Sequence, residues 1–199
     1  MNIDAEVVWR KGDTEMPENV KHVVMSVLNS LSDGGAGFME KLRLYFDTST
    51  ISHLFAEDTP DKMRDTNLLW EDVINGKHDI FISPVVINEI ENCDEPKRSH
   101  MFERLEQIHF QILAKTDEIV RLAYEYIAGG VLKEKSYADC LHIAFAVVYN
   151  CDIIISWNFK HLVNYKTINK VKIVNAINHY KEISIMPPSM LLEEVEQND

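Results

Sequence analysis

From residue 41 onward, short apolar runs alternate with longer segments of helical periodicity, and this alternation restricts the chain to an α/β fold. The helical segments begin at signals such as Ser83-Pro84 and end at signals such as Gly129-Gly130. The runs that read as strands are "KLRLYF", "DIFIS", "HFQILA", "CDIIIS" and "ISIM". Because strands separated by helices pair in parallel, we predict a doubly wound sandwich with a mainly parallel central β-sheet flanked by helices.

The composition is that of an ordinary globular protein. The chain has 199 residues, of which 46% are hydrophobic and 26% charged. No apolar run approaches the roughly 18 residues of a membrane span, and the N-terminus lacks the pattern of a signal peptide. The three cysteines have no metal-type spacing and suit a reducing compartment. We therefore expect a cytoplasmic protein that does not enter a membrane.

Residues 1–38 differ from the rest of the chain. After Pro17, apolar residues recur between Val20 and Leu31 at the spacing of one helical face. The glycine-rich stretch "SDGGAG" then ends the pattern. We predict an N-terminal extension over residues 1–38, made of an amphipathic helix and a linker, followed by one domain over residues 39–199.

The net charge of −12 limits the interpretation of any nucleic-acid contact. Binding to phosphates over a whole surface normally requires a basic protein, so an RNA contact would depend on a local basic patch. The acidity itself is compatible with a solvated surface, with a basic protein partner, or with carboxylates gathered around a metal ion.

Three carboxylates stand at unusual positions. Asp47 directly follows the first strand, where ligands of open α/β sheets bind, although it could merely cap the next helix. Glu89 lies on an apolar helix face, where an unpaired charge is costly; the alternative is the edge of that face. Asp139 lies in the most apolar helix, on the face of His142, and the pattern Ser136-x-x-Asp139 also matches a capping box.

Further polar residues follow the last buried strand in "ISWNFKH". Asn158 again stands at the carboxyl end of a strand, with an ordinary loop or cap asparagine as the alternative. Lys160 and His161 could meet a phosphate or simply be solvated. Asp152 lies at the other end of this strand, and we predict a structural role for it.

Carboxylates that converge repel one another by about 4 kcal/mol per close pair at an effective dielectric constant near 20. Either one of them takes up a proton or a divalent cation lies among them. Oxygen ligands of this kind suit Mg²⁺ or Mn²⁺ and do not suit zinc.

Four ordered motifs closely resemble those of the PIN-domain ribonucleases, and among these the VapC-like toxins of bacterial toxin–antitoxin systems: "YFDTS", "SPVVINEI", "ADCLHIAFA" and "CDIIISWNFKHL". The resemblance covers residues 41–196. It implies that Asp47, Glu89 and Asp139 are the acidic residues of a pocket that binds Mg²⁺ or Mn²⁺. The fourth acidic position, often aspartate, is Asn158, which offers an oxygen without charge and would hold a second metal more weakly.

The activity that this resemblance implies is hydrolysis of phosphodiester bonds in single-stranded RNA. A bound metal would lower the pKa of a water molecule and polarise the scissile phosphate. The hydroxyl of the first motif matches Thr48 or Ser49. The residues expected to contact RNA are Thr48, Ser49, Lys160 and His161, with Lys166 and Lys170 nearby.

The resemblance also implies partners and leaves an alternative open. It implies an antitoxin protein and a homodimer. Residues 1–38, with Arg10 and Lys11, would then act as a built-in antitoxin-like inhibitor or simply pack on the domain or on a second subunit. The alternative function, motivated by Asn158, is a regulatory or binding module with a PIN fold and a weakened metal site.

Overall fold

The computed structural model of this protein describes residues 41–196, with side chains described as far as residue 192. The helix and linker predicted for residues 1–38 lie outside these residues. In chain order the described elements are β1 (Leu42–Phe46), α1 (Thr48–Ser52), α2 (Pro60–Ile74), β2 (His78–Ile82), α3 (Pro84–Glu91), α4 (Lys97–Leu105), β3 (Phe110–Ile112), α5 (Asp117–Ala128), α6 (Tyr137–Val148), β4 (Ile153–Ile155), α7 (Tyr165–Ile177), β5 (Ser184–Met186) and α8 (Pro188–Glu196).

The five described strands form one sheet in the order β3-β2-β1-β4-β5, and every neighbouring pair is parallel. This confirms the predicted α/β class and the parallel sheet. Each connection contains at least one helix, because a parallel strand can only be reached by a crossover. None of the helices in the described part of the chain is both long enough and apolar enough to cross a membrane.

The sheet reverses its direction of winding beside β1. From β1 the chain proceeds outward through β2 and β3 on one side, and it later adds β4 and β5 on the other. The amide of Asp47 donates to the carbonyl of Ile155 over 3.3 Å, so the ends of β1 and β4 lie together. Such a switch point leaves a crevice at the carboxyl ends of the strands, which is where open α/β sheets bind ligands.

The core is built around β1 and α6. The side chains of Cys140–Val147 are all buried, which agrees with the central position predicted for this apolar helix. Gly129 and Gly130 end α5, and Gly130 has a φ of +67°, a conformation that favours glycine. A Cβ atom on Gly129 would lie 2.8 Å from Val174 Cγ2, so glycine here permits the close contact of α5 with α7.

Asp152 ties the amino ends of β1 and β4 together. Its carboxylate accepts from the Arg43 amide at 2.9 Å and from Lys181 Nζ at 3.0 Å. Burial raises the pKa of Asp152, but the Arg43 amide and Lys181 outweigh it, so the net shift is downward. These contacts agree with the structural role predicted for this residue.

We therefore expect Asp152→Asn to lower the free energy of unfolding at pH 7 by about 1 kcal/mol. A carboxyl group whose pKa is lower in the folded state stabilises the fold above its unfolded pKa, near 3.9, and loses this contribution as the pH falls toward the folded pKa. Urea unfolding at pH 7 and at pH 3 measures the difference in free energy of unfolding between the wild type and the variant, and this difference should be smaller at pH 3. An equal difference at both pH values would contradict the assignment.

Candidate active site

Asp47 lies in the crevice between β1 and β4, with 4% of its surface exposed. The Thr50 amide donates to its Oδ1 over 3.2 Å, so Asp47 caps α1. The Ser49 hydroxyl donates to Oδ1 over 2.6 Å and the Ser156 hydroxyl to Oδ2 over 2.8 Å. Burial raises the pKa of Asp47 in spite of these donors. Asp47 therefore does cap the helix, as the sequence alternative proposed, and it also lies at the switch point of the sheet.

Glu89 faces this crevice from α3. The Thr48 hydroxyl donates to its Oε2, and His142 Nε2 lies 3.3 Å from the same oxygen. Its side chain remains 36% exposed, which leaves room for a ligand. Burial raises the pKa of Glu89, but the hydrogen bond and positive charge of His142 outweigh burial and lower it. Glu89 is thus held in the ionised form that a cation would bind.

His142 is buried behind Glu89. Its Nδ1 lies 2.8 Å from the hydroxyl of Tyr45, which lies 2.7 Å from the hydroxyl of Ser83. Burial lowers the pKa of His142, whereas the hydrogen bond and charge of Glu89 raise it, followed by the charges of Asp47 and Asp139; the net shift is upward. The upward shift favours the protonated imidazole, whose charge would offset part of the negative charge of the carboxylates.

Asp139 and Asn158 form the third part of the site. Asn158 Nδ2 donates to Asp139 Oδ1 over 2.8 Å, and Asn158 Oδ1 accepts from the His161 amide over 3.0 Å. These two contacts determine the orientation of the amide. The Ser136 hydroxyl makes no capping bond to α6, so the capping box considered from the sequence is not formed. The carboxylate of Asp139 instead contacts Asn158, which follows β4.

Two of the three carboxylates, those of Asp47 and Asp139, are connected through their neighbours. Ser156 Oγ, which donates to Asp47, accepts from the Asn158 amide over 2.9 Å, and Asn158 in turn contacts Asp139. Within residues 41–196, no three Asp, Glu, His or Cys side chains are close enough to hold a metal ion together. Each acid instead contacts a separate hydroxyl, amide or imidazole group. The donors, three carboxylates with an amide oxygen and hydroxyls, nevertheless fit the chemistry of Mg²⁺ or Mn²⁺.

A cleft of about 440 Å³ lies at the amino ends of α6 and α7, and we call it the lysine cleft. It contains Lys160, His161 and Lys166, which were expected to contact RNA, and Lys170 Nζ donates to the carbonyl of Gly130 at its edge. Sequence reasoning missed two further members, Lys133 and Lys135. Its described lining includes no carboxylate, in a chain with 32 acidic and 20 basic residues.

Sequence reasoning also missed Tyr45, Ser83 and Ser156 as members of the site. Tyr45 could have been found, because residues two apart on a strand share a face and Tyr45 precedes Asp47 by two. Ser156 follows β4 directly, just as Asp47 follows β1. Ser83 was interpreted as a helix cap, yet its hydroxyl contacts Tyr45 and makes no capping bond.

Comparison with known proteins gives one family. The model of the PIN domain matches residues 44–160, more than half of the chain, and confirms the family predicted from the four motifs. One similar solved structure is the crystal structure of VapBC2 from Rickettsia felis bound to a DNA fragment from their promoter. The alignment covers 71% of the present protein and 96% of the matched chain of that structure, at 13% identity and a TM-score of 0.45. A second is the crystal structure of PAE2754 from Pyrobaculum aerophilum. That alignment covers 78% of the present protein and 92% of PAE2754, at 13% identity and a TM-score of 0.43. No curated protein matches.

Proposed function

Because the chain belongs to the PIN-domain family, we propose that it is a cytoplasmic endoribonuclease that depends on Mg²⁺ or Mn²⁺ and hydrolyses single-stranded RNA. The observation that carries the proposal is the chain of hydrogen bonds that connects a lysine-lined cleft to two of the acids, Asp139 and Asp47. His161, in the lysine cleft, donates its amide to Asn158, which contacts Asp139. A phosphate held by the lysines would thus lie next to the acids.

In this proposal Asp47, Glu89 and Asp139 hold the metal, with Asn158 assisting. Ser49 and Ser156 hold the carboxylate of Asp47, and Thr48 orients Glu89, so the acids are positioned before a ligand arrives. The lowered pKa of Glu89 keeps this carboxylate ionised at neutral pH. When bound, the cation would neutralise charge on the scissile phosphate and promote ionisation of the attacking water.

The lysine cleft would bind the RNA backbone. Lys133, Lys135, Lys160 and Lys166 line it. Ser136 and Asn164, the caps of α6 and α7, also belong to its lining, so the amino ends of both helices face it. Helix amino ends carry partial positive charge and bind phosphate, so both the lysines and the helix ends would attract the RNA phosphates.

Replacing two of these lysines, in Lys133→Gln/Lys160→Gln, should weaken binding to single-stranded RNA of any sequence. Each phosphate contact that is lost should reduce the slope of log K against log salt concentration by about 0.7. Fluorescence anisotropy in chelator, over a series of salt concentrations, measures both quantities.

The matched control is Lys77→Gln. Lys77 precedes β2 and pairs with Asp72 over 2.7 Å, at the amino end of the sheet and hence at the edge opposite the acids. The Lys77→Gln variant should bind RNA with the same salt dependence as the wild type. Equal affinities of the double variant and the wild type would remove the lysine cleft from the proposal.

A second candidate, a binding module with a weakened metal site, is favoured by Asn158 and by the separation of the acids within residues 41–196. The amide group of Asn158 donates to Asp139 and adds no charge to the site. Calorimetric titration with Mn²⁺ distinguishes the two, because a module of this kind would bind little or no metal, whereas the ribonuclease would bind it at Asp47.

We further propose a VapC-like, toxin-like role, with an antitoxin protein as partner and a homodimer as the working form. Support comes from the motifs and from the PIN family match. An antitoxin would have to neutralise the acidic site, which a basic side chain near Asp47 and Glu89 could do. Residues 1–38, for which the sequence suggested an inhibitory role, lie outside the described residues.

A further inference from the structure

A second cleft, of about 560 Å³, lies beside the end of α1, the helix that Asp47 caps, and we call it the aromatic cleft. Its volume is within the range of roughly 300–1,000 Å³ that is typical of small-ligand pockets. It lies between the segment that follows β1 and helices α2 and α4. The lining residues that matter here are His53, Phe55, Lys62, Lys97 and His100.

Cationic and aromatic side chains contact one another in this cleft and beside it. Lys62 Nζ lies 5.4 Å from the centre of the Trp157 ring and 5.3 Å from that of Phe159. The ring of His100 lies 5.3 Å from that of Phe55, and residue Phe55 is 36% exposed. Exposed rings next to cations are characteristic of surfaces that bind single-stranded nucleic acid, where bases stack and phosphates are neutralised.

Hydrogen bonds connect the aromatic cleft to Asp47. His53 Nδ1 donates to the carbonyl of Ser49 over 2.7 Å, and burial lowers the pKa of His53, which keeps the ring neutral. The Ser49 hydroxyl donates to Asp47 and accepts from the Trp157 amide over 2.8 Å. Phe159 lies against Lys62, while the next residue, Lys160, lines the lysine cleft. The loop that carries Asn158 therefore separates the two clefts.

We propose that the aromatic cleft binds an unpaired nucleobase that flanks the scissile phosphate, with Phe55 as the stacking ring and Lys62 and Lys97 beside the adjoining phosphates. This inference rests on the proposed ribonuclease function and deepens it. A base in a duplex is already stacked and paired, so this cleft selects single-stranded RNA. The two lysines favour a nucleic acid over an apolar peptide, since Asp58 is the only carboxylate among the described lining residues.

The test compares Phe55→Leu, which keeps apolar bulk but removes the ring, with Phe55→Tyr, which keeps the ring. Affinity is measured by fluorescence anisotropy in chelator, so that no cleavage occurs. The probes are oligouridylate and oligoadenylate of about 12 nucleotides, within the site sizes of single-strand-binding domains, and an abasic oligomer of equal length. Tyr124→Leu, which removes an exposed ring on α5 outside the cleft, is the matched control.

We expect Phe55→Leu to weaken binding of the base-containing probes by about 5- to 150-fold, the range measured when a stacking ring is removed. Phe55→Tyr and Tyr124→Leu should bind like the wild type, and the abasic probe should not distinguish the variants. Should Phe55→Leu fail the thermal unfolding control, His100→Leu replaces it, because His100 is exposed and its ring contacts Phe55.

Two other outcomes have separate meanings. If the wild type binds and cleaves RNA but the cleft variants bind every probe equally well, the nucleobase site is wrong and the ribonuclease proposal stands. If the wild type has no affinity for any probe and no metal-dependent cleavage, the proposed function itself fails. A protein segment as the true occupant would give the first of these outcomes.

Discussion

Replacing Asp47 with asparagine should lower metal-dependent RNA cleavage by at least about 100-fold, the usual effect of removing one group that stabilises charge in a transition state. The substitution removes one negative charge at the switch point and keeps the shape of the side chain. Ser49 and Ser156 can still contact an amide, so the local structure should persist. The loss would therefore reflect the missing charge.

The same variant should be more stable than the wild type when no metal is present. Burial raises the pKa of Asp47 in the folded protein, so folding disfavours the ionised carboxylate. A carboxyl group of this kind favours the fold below its unfolded pKa and loses that advantage as the pH rises through its folded pKa. At neutral pH the asparagine lacks this penalty, and at low pH the two proteins should converge.

Cleavage of labelled RNA with Mn²⁺ and thermal unfolding in chelator measure the two effects. Asp79→Asn, the same change at an exposed position on β2, is the control for charge alone. Mn²⁺ should raise the melting temperature of the wild type by mass action and have a much smaller effect on the Asp47 variant. Equal cleavage by the variant and the wild type would point to a contaminating nuclease.

Replacing Asn158 with aspartate should change stability and metal affinity in opposite directions. The amide now donates to Asp139 over 2.8 Å, and a carboxylate in its position would have no proton to donate. Two charges at that separation repel by about 6 kcal/mol at an effective dielectric constant of 20, before the side chains move apart. Relaxation and proton uptake reduce this, so we expect a loss of about 1–3 kcal/mol in the free energy of unfolding in chelator.

A divalent cation would reverse the penalty. It would be attracted by both carboxylates, so the affinity for Mn²⁺ should rise at least about tenfold, equivalent to 1.4 kcal/mol. Calorimetric titration gives the affinity, and thermal unfolding with and without Mn²⁺ gives the stability. Asn158→Ala, which removes the contact with Asp139 without adding charge, should bind Mn²⁺ no better than the wild type. An unchanged affinity in the aspartate variant would exclude Asn158 from the metal site.

The chain order of strands and helices could be predicted because each element carries its own periodic pattern and end signals. Within residues 41–196 the five predicted strands are present with helices between them, and the short helix α1 was considered only as the helix that Asp47 caps. The candidate acids could be found because each breaks a local pattern. A charge at the end of a buried strand or on an apolar helix face is visible without coordinates.

The partners of these acids could not be predicted, since they come from distant segments. Thr48 and Ser49 are neighbours that the sequence could not tell apart, yet one contacts Glu89 and the other Asp47. Lys133 and Lys135 are as unremarkable in the sequence as any surface lysine. They join Lys160 and Lys166 in one cleft because the amino ends of α6 and α7 come together there.

The sequence by itself determined the α/β class, the parallel pairing and the three candidate acids, since periodicity, end signals and a charge that breaks an apolar pattern are local properties of the chain. Only the tertiary structure decided which hydroxyl, amide or imidazole contacts each acid, and that the loop after β4 divides a lysine cleft from an aromatic one. Those contacts join residues up to 109 positions apart, as Ser156 and Asp47 are. Local patterns cannot encode a contact of that kind, because it depends on which strands lie next to each other in the sheet.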